Sequence, residues 1–350
     1  QFLKKSGQTY WQILPVCPTG YGDSPYQSVS SYAGNPYWID LDDLASEGYL
    51  KKSEYSRIRW GKDPRTVDYG LLYRKRFGVL RKAVDRLLDQ NWDEFYDFAV
   101  KESEWLADYS LYMALKEAQN GKPWVDWPEE WRTRDEGFIE SAWEIYNDEI
   151  LFWQGVQYLF FDQWRKLKTY ANSQGIRILG DVPIYVSMDS ADVWSDPAQF
   201  LLDEHLEPVD VAGCPPDGFS KDGQLWGNPL YDWGKMKEDN YSWWMKRLAH
   251  QRKIYDVIRL DHFRGFDSFY AIPNGAKTAR IGEWRQGPGI GFFEEAERRF
   301  GKLPFVAEDL GFLTDSVRNL LKESGYPGMK VLEFAFDARD TGSGYLPHTY

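Results

Sequence analysis

The stretch VIRLDHFRG, residues 257–265, decides how the chain is read. It reads as a short buried strand that ends in charge. Side chains alternate along an extended chain, so Val257, Arg259 and Asp261 share one face and Ile258, Leu260 and His262 the other. An Arg and an Asp two apart on an otherwise apolar strand are costly to bury. They are kept where they pair with each other or where they do chemistry. On this stretch alone, a structural ion pair and a reactive carboxylate stand level.

Working outward, four more short apolar runs read as strands: Tyr10 to Val16 (YWQILPV), Ile176 to Val182 (IRILGDV), Pro304 to Glu308 (PFVAE) and Met329 to Phe336 (MKVLEFAF). Helical periodicity lies between them, at about 150–173, 241–251, 291–299 and 314–324. Alternation of helices with short apolar strands argues for a parallel sheet covered on both faces. Function in such folds sits at the C-terminal ends of the strands. Asp181, Asp261, Glu308 and Asp337 each close an apolar run, which is hard to explain by structure alone. No GxGxxG follows a strand and no Walker loop is present, so nucleotide folds lose ground. The expected fold is α/β, a (β/α)8 TIM barrel with helical insertions, and five visible strands are too few to close it.

The chain divides into three parts on this reading. Residues 1–50 hold a helix end stopped by Gly7, the first strand, the loop CPTGYGDSPYQ (17–27) and a helical segment from Asn35-Pro36 to about Leu50. Residues 51–150 are rich in charge, Trp and Tyr, with helices expected at 71–88 and 92–119, and read as a helical insertion subdomain. Residues 151–350 continue the barrel. Within them GCPPDGFSKDGQLWGNP (213–229) carries four Gly and three Pro, and is expected to be a long binding loop or lid without a helix or central strand.

Composition narrows the function. The 350 residues are 43% hydrophobic, enough for a sizeable core, yet no apolar run approaches the ~18–20 residues of a membrane span. A net charge of −12 argues against nucleic acid as a partner, because phosphate binding needs a positive surface. Cys17 and Cys214 are too few for a disulfide framework, which points to a reducing cytoplasm. Gln1-Phe2-Leu3-Lys4-Lys5 has neither an initiator Met nor a signal-like apolar stretch, so the chain reads as starting within a longer protein. Aromatic residues reach 17%, and Tyr21, Tyr26, Trp226 and Trp284 sit in polar segments where core packing does not need them. Flat aromatic faces beside hydrogen-bonding groups suit sugar rings. Trp153, Trp164 and Trp243, on amphipathic helices, read as packing.

Carboxylates at strand ends in an aromatic cleft fit cleavage of a glycosidic bond, which takes one nucleophile and one acid/base. Asp261 is expected to stay ionised beside Arg259, as a nucleophile must. Glu308, after Phe305-Val306-Ala307, is expected to hold its proton more tightly, which suits the acid. His205, His250, His262 and His348 show no HExxH or paired spacing and no EF-hand loop is present, so neither a metal nor a cofactor is expected. Neither Cys lies near a His in sequence, which weighs against a Cys nucleophile.

Five motifs then converge. GYGDSPYQ (20–27), GDVPIYV (180–186), PPDGFSKDGQLWGNP (215–229), RLDHFRG (259–265) and AEDLG (307–311) resemble glycoside hydrolase family 77, the amylomaltases or 4-α-glucanotransferases, relatives of the α-amylases. The resemblance runs from end to end. It implies transfer of α-1,4-glucan segments between maltooligosaccharides from starch or glycogen, with glucose or maltose as acceptor, by a retaining double displacement. It implies Asp261 as the nucleophile that becomes glucosylated and Glu308 as general acid/base. Arg259 would orient the nucleophile, Asp181, His262 and Tyr26 would hold the donor sugar, and Ser24 would be a further substrate-binding residue. Gln224, Trp226 and Asn228 would lie over the acceptor side. Two departures stand out. The family's third carboxylate, in an HDxD-like motif, and its first barrel strand have no counterpart, so the chain is expected to be an incomplete barrel with exposed strand edges. Asp337 is not expected to fill the vacant role. Cys17 stands where a small residue such as Gly is expected. Hydrolysis and noncatalytic glucan binding are the competing functions, and the segment 213–229 with Trp226 is the feature that would exclude water and favour transfer.

Overall fold

In the computed structural model, residues 1–218, 220–311, 313–336 and 346 are described. Asp337, the last of the four strand-end carboxylates, lies outside them. Among the described residues, eight strands form two sheets: β1 (Tyr10–Gln12), β2 (Arg177–Val182), β3 (Asp210–Cys214), β4 (Gln224–Pro229), β5 (Val257–Leu260), β6 (Ser268–Pro273), β7 (Glu283–Gln286) and β8 (Phe305–Ala307).

The first sheet is parallel, in the order β1-β2-β5-β8. Its register explains why charges collect at one end. Asp181 lies opposite Arg259, and Leu260 lies opposite Ala307, so the next residues, Asp261 and Glu308, emerge side by side. Asp256 helps to fix this register: just before β5, its Oδ2 accepts the Ile178 backbone N–H at 2.8 Å and the Asn172 amide at 2.8 Å. Gly180 lets the sheet pack tightly, since a Cβ there would come within 2.2 Å of the Tyr255 ring.

The second sheet is antiparallel, in the order β4-β3-β6-β7, and corrects the expectation for 213–229. Both ends of that segment are strands, joined by residues 215–223. Gly and Pro are tolerated because β4 is an edge strand and Pro229 closes it. Gly227 adopts φ 78°, and a Cβ on Gly213 would sit 2.2 Å from the Gln224 carbonyl oxygen, so glycine permits the close pairing.

The helix Asn147–Ser173 packs on β2, and the helices Tyr69–Gln90, Trp92–Lys101 and Ser103–Ala118 pack on that helix. One hydrophobic core runs from Leu80 and Tyr109 through Phe160 to Ile258 and Phe305. The helix expected over 92–119 is broken at Glu102, whose carboxylate accepts from Trp105 Nε1 at 3.0 Å and Lys253 Nζ at 2.9 Å. The helical segment expected over 35–50 is a 3₁₀ turn, Pro36–Trp38, followed by Leu41–Ser46, which Asp40 caps by accepting from two backbone N–H groups. β1 stops at Gln12 and is exposed, because it is an edge strand rather than a central one. The strand expected over 329–336 is instead a 3₁₀ turn, Leu332–Phe336. No described strand offers Met329 a ladder partner, and its N–H goes to Asp309 Oδ1 at 2.7 Å.

Candidate active site

β5 delivers the nucleophile candidate. Beyond Leu260, the Asp261 N–H donates to Val182 O at 3.1 Å, and the Glu308 N–H donates to Leu260 O at 2.9 Å. These bonds extend the ladders one residue past the strands and hold both acids at adjacent ends. His262 then turns left-handed, with φ 48°. The strict alternation expected for this stretch therefore ends at Asp261, and His262 swings toward the cleft. Below it, the turn Phe263–Phe266 is anchored by Phe266, which is fully buried 4.9 Å from the Phe292 ring. Burial of such a ring contributes about 2–3 kcal/mol.

Arg259 is the centre of the charge network. Its Nη1 donates to Asp181 Oδ1 at 2.7 Å and to Asp261 Oδ1 at 2.8 Å, while its Nε donates to Met329 Sδ at 3.3 Å. Burial works against its charge, but the two carboxylates outweigh burial and hold it above its ordinary range. Tyr26 OH donates to the other Asp181 oxygen at 2.6 Å. Burial and that carboxylate keep the phenol protonated.

The two candidate acids differ in support. Glu308 is held by two backbone amides: the His262 N–H donates to Oε2 at 2.9 Å and the Leu310 N–H to Oε1 at 2.8 Å. Burial nevertheless raises its pKa, as expected from its apolar run. For Asp261 the expectation needs correction. Arg259 does pull its pKa down, but burial together with Asp181 and Glu308 wins, and the carboxyl is pushed up to about 6. The guanidinium is shared with Asp181, so its help is divided. Asp261 is mainly ionised at neutral pH and takes a proton just below it. His262 is pushed down to about 4, by burial first and by Arg264 second, so its ring is neutral in the same range.

A cavity connects this network to the antiparallel sheet. Its walls include Ser24, Tyr26, Tyr185, Trp226, Asn228 and Asp261. Trp226 meets His262 edge to face, with ring centroids 4.9 Å apart. Gln224 Oε1 accepts the Trp226 indole N–H at 3.1 Å. Ser24 caps the turn Pro25–Gln27, where its Oγ accepts the Tyr26 N–H at 3.2 Å and so orients the phenol. Asn228 is engaged within the protein: its Nδ2 donates to Val186 O at 2.9 Å, and its Oδ1 accepts from Gln27 at 3.1 Å. Cys17 lies behind the loop, where its thiol donates to Pro25 O at 3.2 Å and is pushed up to about 11 by burial.

Sequence reasoning assigned no role to Gln27, Tyr185 or Met329. Gln27 Nε2 also donates to Trp226 O at 3.1 Å, tying the 20–27 motif to the hairpin, and the Tyr185 ring lies 6.2 Å from Trp226. Both residues stand inside motifs quoted above; only their neighbours were singled out.

Comparison with known proteins resolves the family. The 4-alpha-glucanotransferase family, glycoside hydrolase family 77, matches residues 1–350. The chain belongs to this family. The 4-alpha-glucanotransferase of Clostridium butyricum is 46% identical over 350 residues, covering 100% of this chain and 72% of that protein. That of Thermus thermophilus is 45% identical, covering 100% of this chain and 70% of its own length. The solved structure of the amylomaltase from Streptococcus agalactiae in complex with acarbose is 41% identical, with a TM-score of 0.97, covering 100% of this chain and 71% of that one. The parallel sheet is accordingly part of a (β/α)8 barrel with helical insertions, open at β1 and β8 among the described residues. The chain is of the 4-alpha-glucanotransferase type, a glycosyltransferase acting on α-glucans, rather than a hydrolase or a binding protein.

Proposed function

We propose that the cleft moves α-1,4-glucan segments between maltooligosaccharides by double displacement, with Asp261 as nucleophile and Glu308 as acid/base. Asp261 attacks the anomeric carbon while Glu308 gives its proton to the departing 4-oxygen, leaving a glucosyl ester on Asp261. The 4-hydroxyl of an acceptor such as glucose or maltose then attacks the same carbon. Glu308 takes that proton back and the Asp261 carboxylate leaves, so configuration is retained. The supporting observation is the unequal holding of two adjacent carboxyls. Arg259 grips Asp261 by one oxygen, whereas two amides fix Glu308 without neutralising it.

The other residues divide by position. Arg259 orients Asp261 and offsets its charge; Asp181, fixed by Arg259 and Tyr26, faces donor hydroxyls together with neutral His262. Trp226 bounds the acceptor side and excludes water from the ester. Gln224 and Asn228 support that wall, and Ser24 sets Tyr26. The free thiols Cys17 and Cys214 fit action in the cytoplasm.

The whole enzyme given maltotriose should yield glucose together with a ladder of longer maltooligosaccharides. Glucose and maltose without a ladder would make it a hydrolase.

A further inference from the structure

Arg247 is a charged side chain that the mechanism above does not use. It lies on the helix Ser242–Ile254, is 1% exposed, and has no carboxylate within ion-pair distance among the described residues. Its guanidinium lies over the Trp244 ring, 4.6 Å away, bonds two backbone carbonyls, and acts at longer range on the buried Asp192, whose carboxyl it pulls down against burial. Nη2 donates to Pro183 O at 2.7 Å and Nη1 to Ile184 O at 3.3 Å. An apolar side chain would avoid desolvating a cation but would take this donor from the Pro183 carbonyl and the nearby positive charge from Asp192. What arginine adds is a rigid fork with donors at fixed separation.

The fork closes on the segment directly after β2. Residues 183–186 are neither helix nor strand and are mostly buried, so their carbonyls need partners from elsewhere. Three are supplied by side chains. Arg247 holds Pro183 and Ile184, Tyr231 OH donates to Ile184 O at 2.7 Å, and Asn228 Nδ2 donates to Val186 O at 2.9 Å. The segment's own side chains then touch both halves of the site. Ile184 packs so closely on the turn after Asp261 that a Cβ on Gly265 would lie 2.5 Å from Ile184 Cδ1. The Tyr185 ring lies 6.2 Å from Trp226 and 5.9 Å from Tyr231. Residues 184 and 185 thus form a wedge between the nucleophile turn and the Trp226 wall.

We propose that Arg247 is a positioning residue for the acceptor half of the reaction: by clamping the Pro183 and Ile184 carbonyls it sets the gap between Asp261 and Trp226 in which the incoming sugar sits. It touches neither substrate nor reacting atoms. The proposal rests on the reading that Trp226 bounds the acceptor side. A loosened clamp misplaces the acceptor more than the donor, which Asp181, Tyr26 and Arg259 hold independently. Water, which needs no orientation by the wall, then competes better for the ester.

The test follows maltotriose cleavage by the whole enzyme with isotopically labelled glucose as acceptor, separating transfer from hydrolysis. Arg247→Lys keeps the charge and loses the fork. It should raise the acceptor KM and the hydrolysed fraction by about tenfold, with total cleavage changed by no more than about threefold. Tyr231→Phe removes one hydroxyl and no packing, so it tests the same clamp even where the arginine variant folds poorly. It should move the partition in the same direction by about two- to threefold. Equal loss of cleavage and transfer with an unchanged acceptor KM, or no change in either variant, would overturn the role. Trp226→Ala in parallel separates the two claims. An unchanged partition there overturns the acceptor-side reading itself. A shift in Trp226→Ala with none in the other two overturns only the part given to Arg247.

Discussion

The two sheets meet at one cleft but are built to different tolerances. At the parallel strand ends, Asp181, Arg259, Asp261 and Glu308 are fixed by ladder register and by direct charge-assisted bonds of 2.7–2.9 Å. Across the cleft, Trp226 sits on an edge strand interrupted by Gly227 and closed by Pro229, held to the opposite wall by Gln27 and by Asn228. Bond breaking demands that the reacting groups not move, and the central strands provide that. Choosing among acceptors needs a wall that admits sugars of different length, which an edge strand can provide. The difference assigns the chemistry to one sheet and the partition between sugar and water to the other.

That division can be broken from either side. The largest effect belongs to Asp261→Asn, which should reduce turnover by at least about 10⁴-fold while maltotriose binding by calorimetry is retained. Substantial remaining turnover would remove the nucleophile assignment. Next comes pH. Because Asp261 is pushed up to about 6, kcat/KM for maltotriose should fall as pH drops through about 6, where the nucleophile takes up its proton. Arg259 lowers that pKa, so Arg259→Gln should move the acid limb to higher pH as well as slow the reaction. A limb that stays in place would mean that Arg259 does not act on the charge of Asp261. The smallest effect is on the far wall. Trp226→Ala should leave cleavage within about threefold and raise hydrolysis relative to transfer, read from the ladder of products. Loss of cleavage equal to that of Asp261→Asn would erase the distinction between the sheets.

The same contrast governs what could be read from the amino acids. β2, β5 and β8 were visible because each is a short apolar run ending in a carboxylate, and their order along the chain already implied parallel pairing. The pairing of Asp261 with Arg259 followed from alternation, but the sharing of Arg259 with Asp181, 78 residues earlier, did not, and with it the raised pKa of Asp261 was missed. The departure of His262 from the strand face is a backbone choice, φ 48°, that alternation does not anticipate. β4 was hidden because an edge strand tolerates the Gly and Pro that would rule out a central one. Gln27 and Tyr185 act through contacts with Trp226, residues remote in sequence, and no local pattern marks such partners.

The central claim is that Asp261 becomes covalently glucosylated. The direct measurement is peptide mass analysis of a Glu308→Gln variant, acid-quenched after reaction with an activated α-glucosyl donor whose leaving group needs no protonation. The account predicts a glucosyl adduct on Asp261 within 257–265 that persists when glucose is added, because the variant lacks the base, and is released by azide, which has no proton to lose. An adduct on another residue, or an inverted product with no adduct at all, would contradict it.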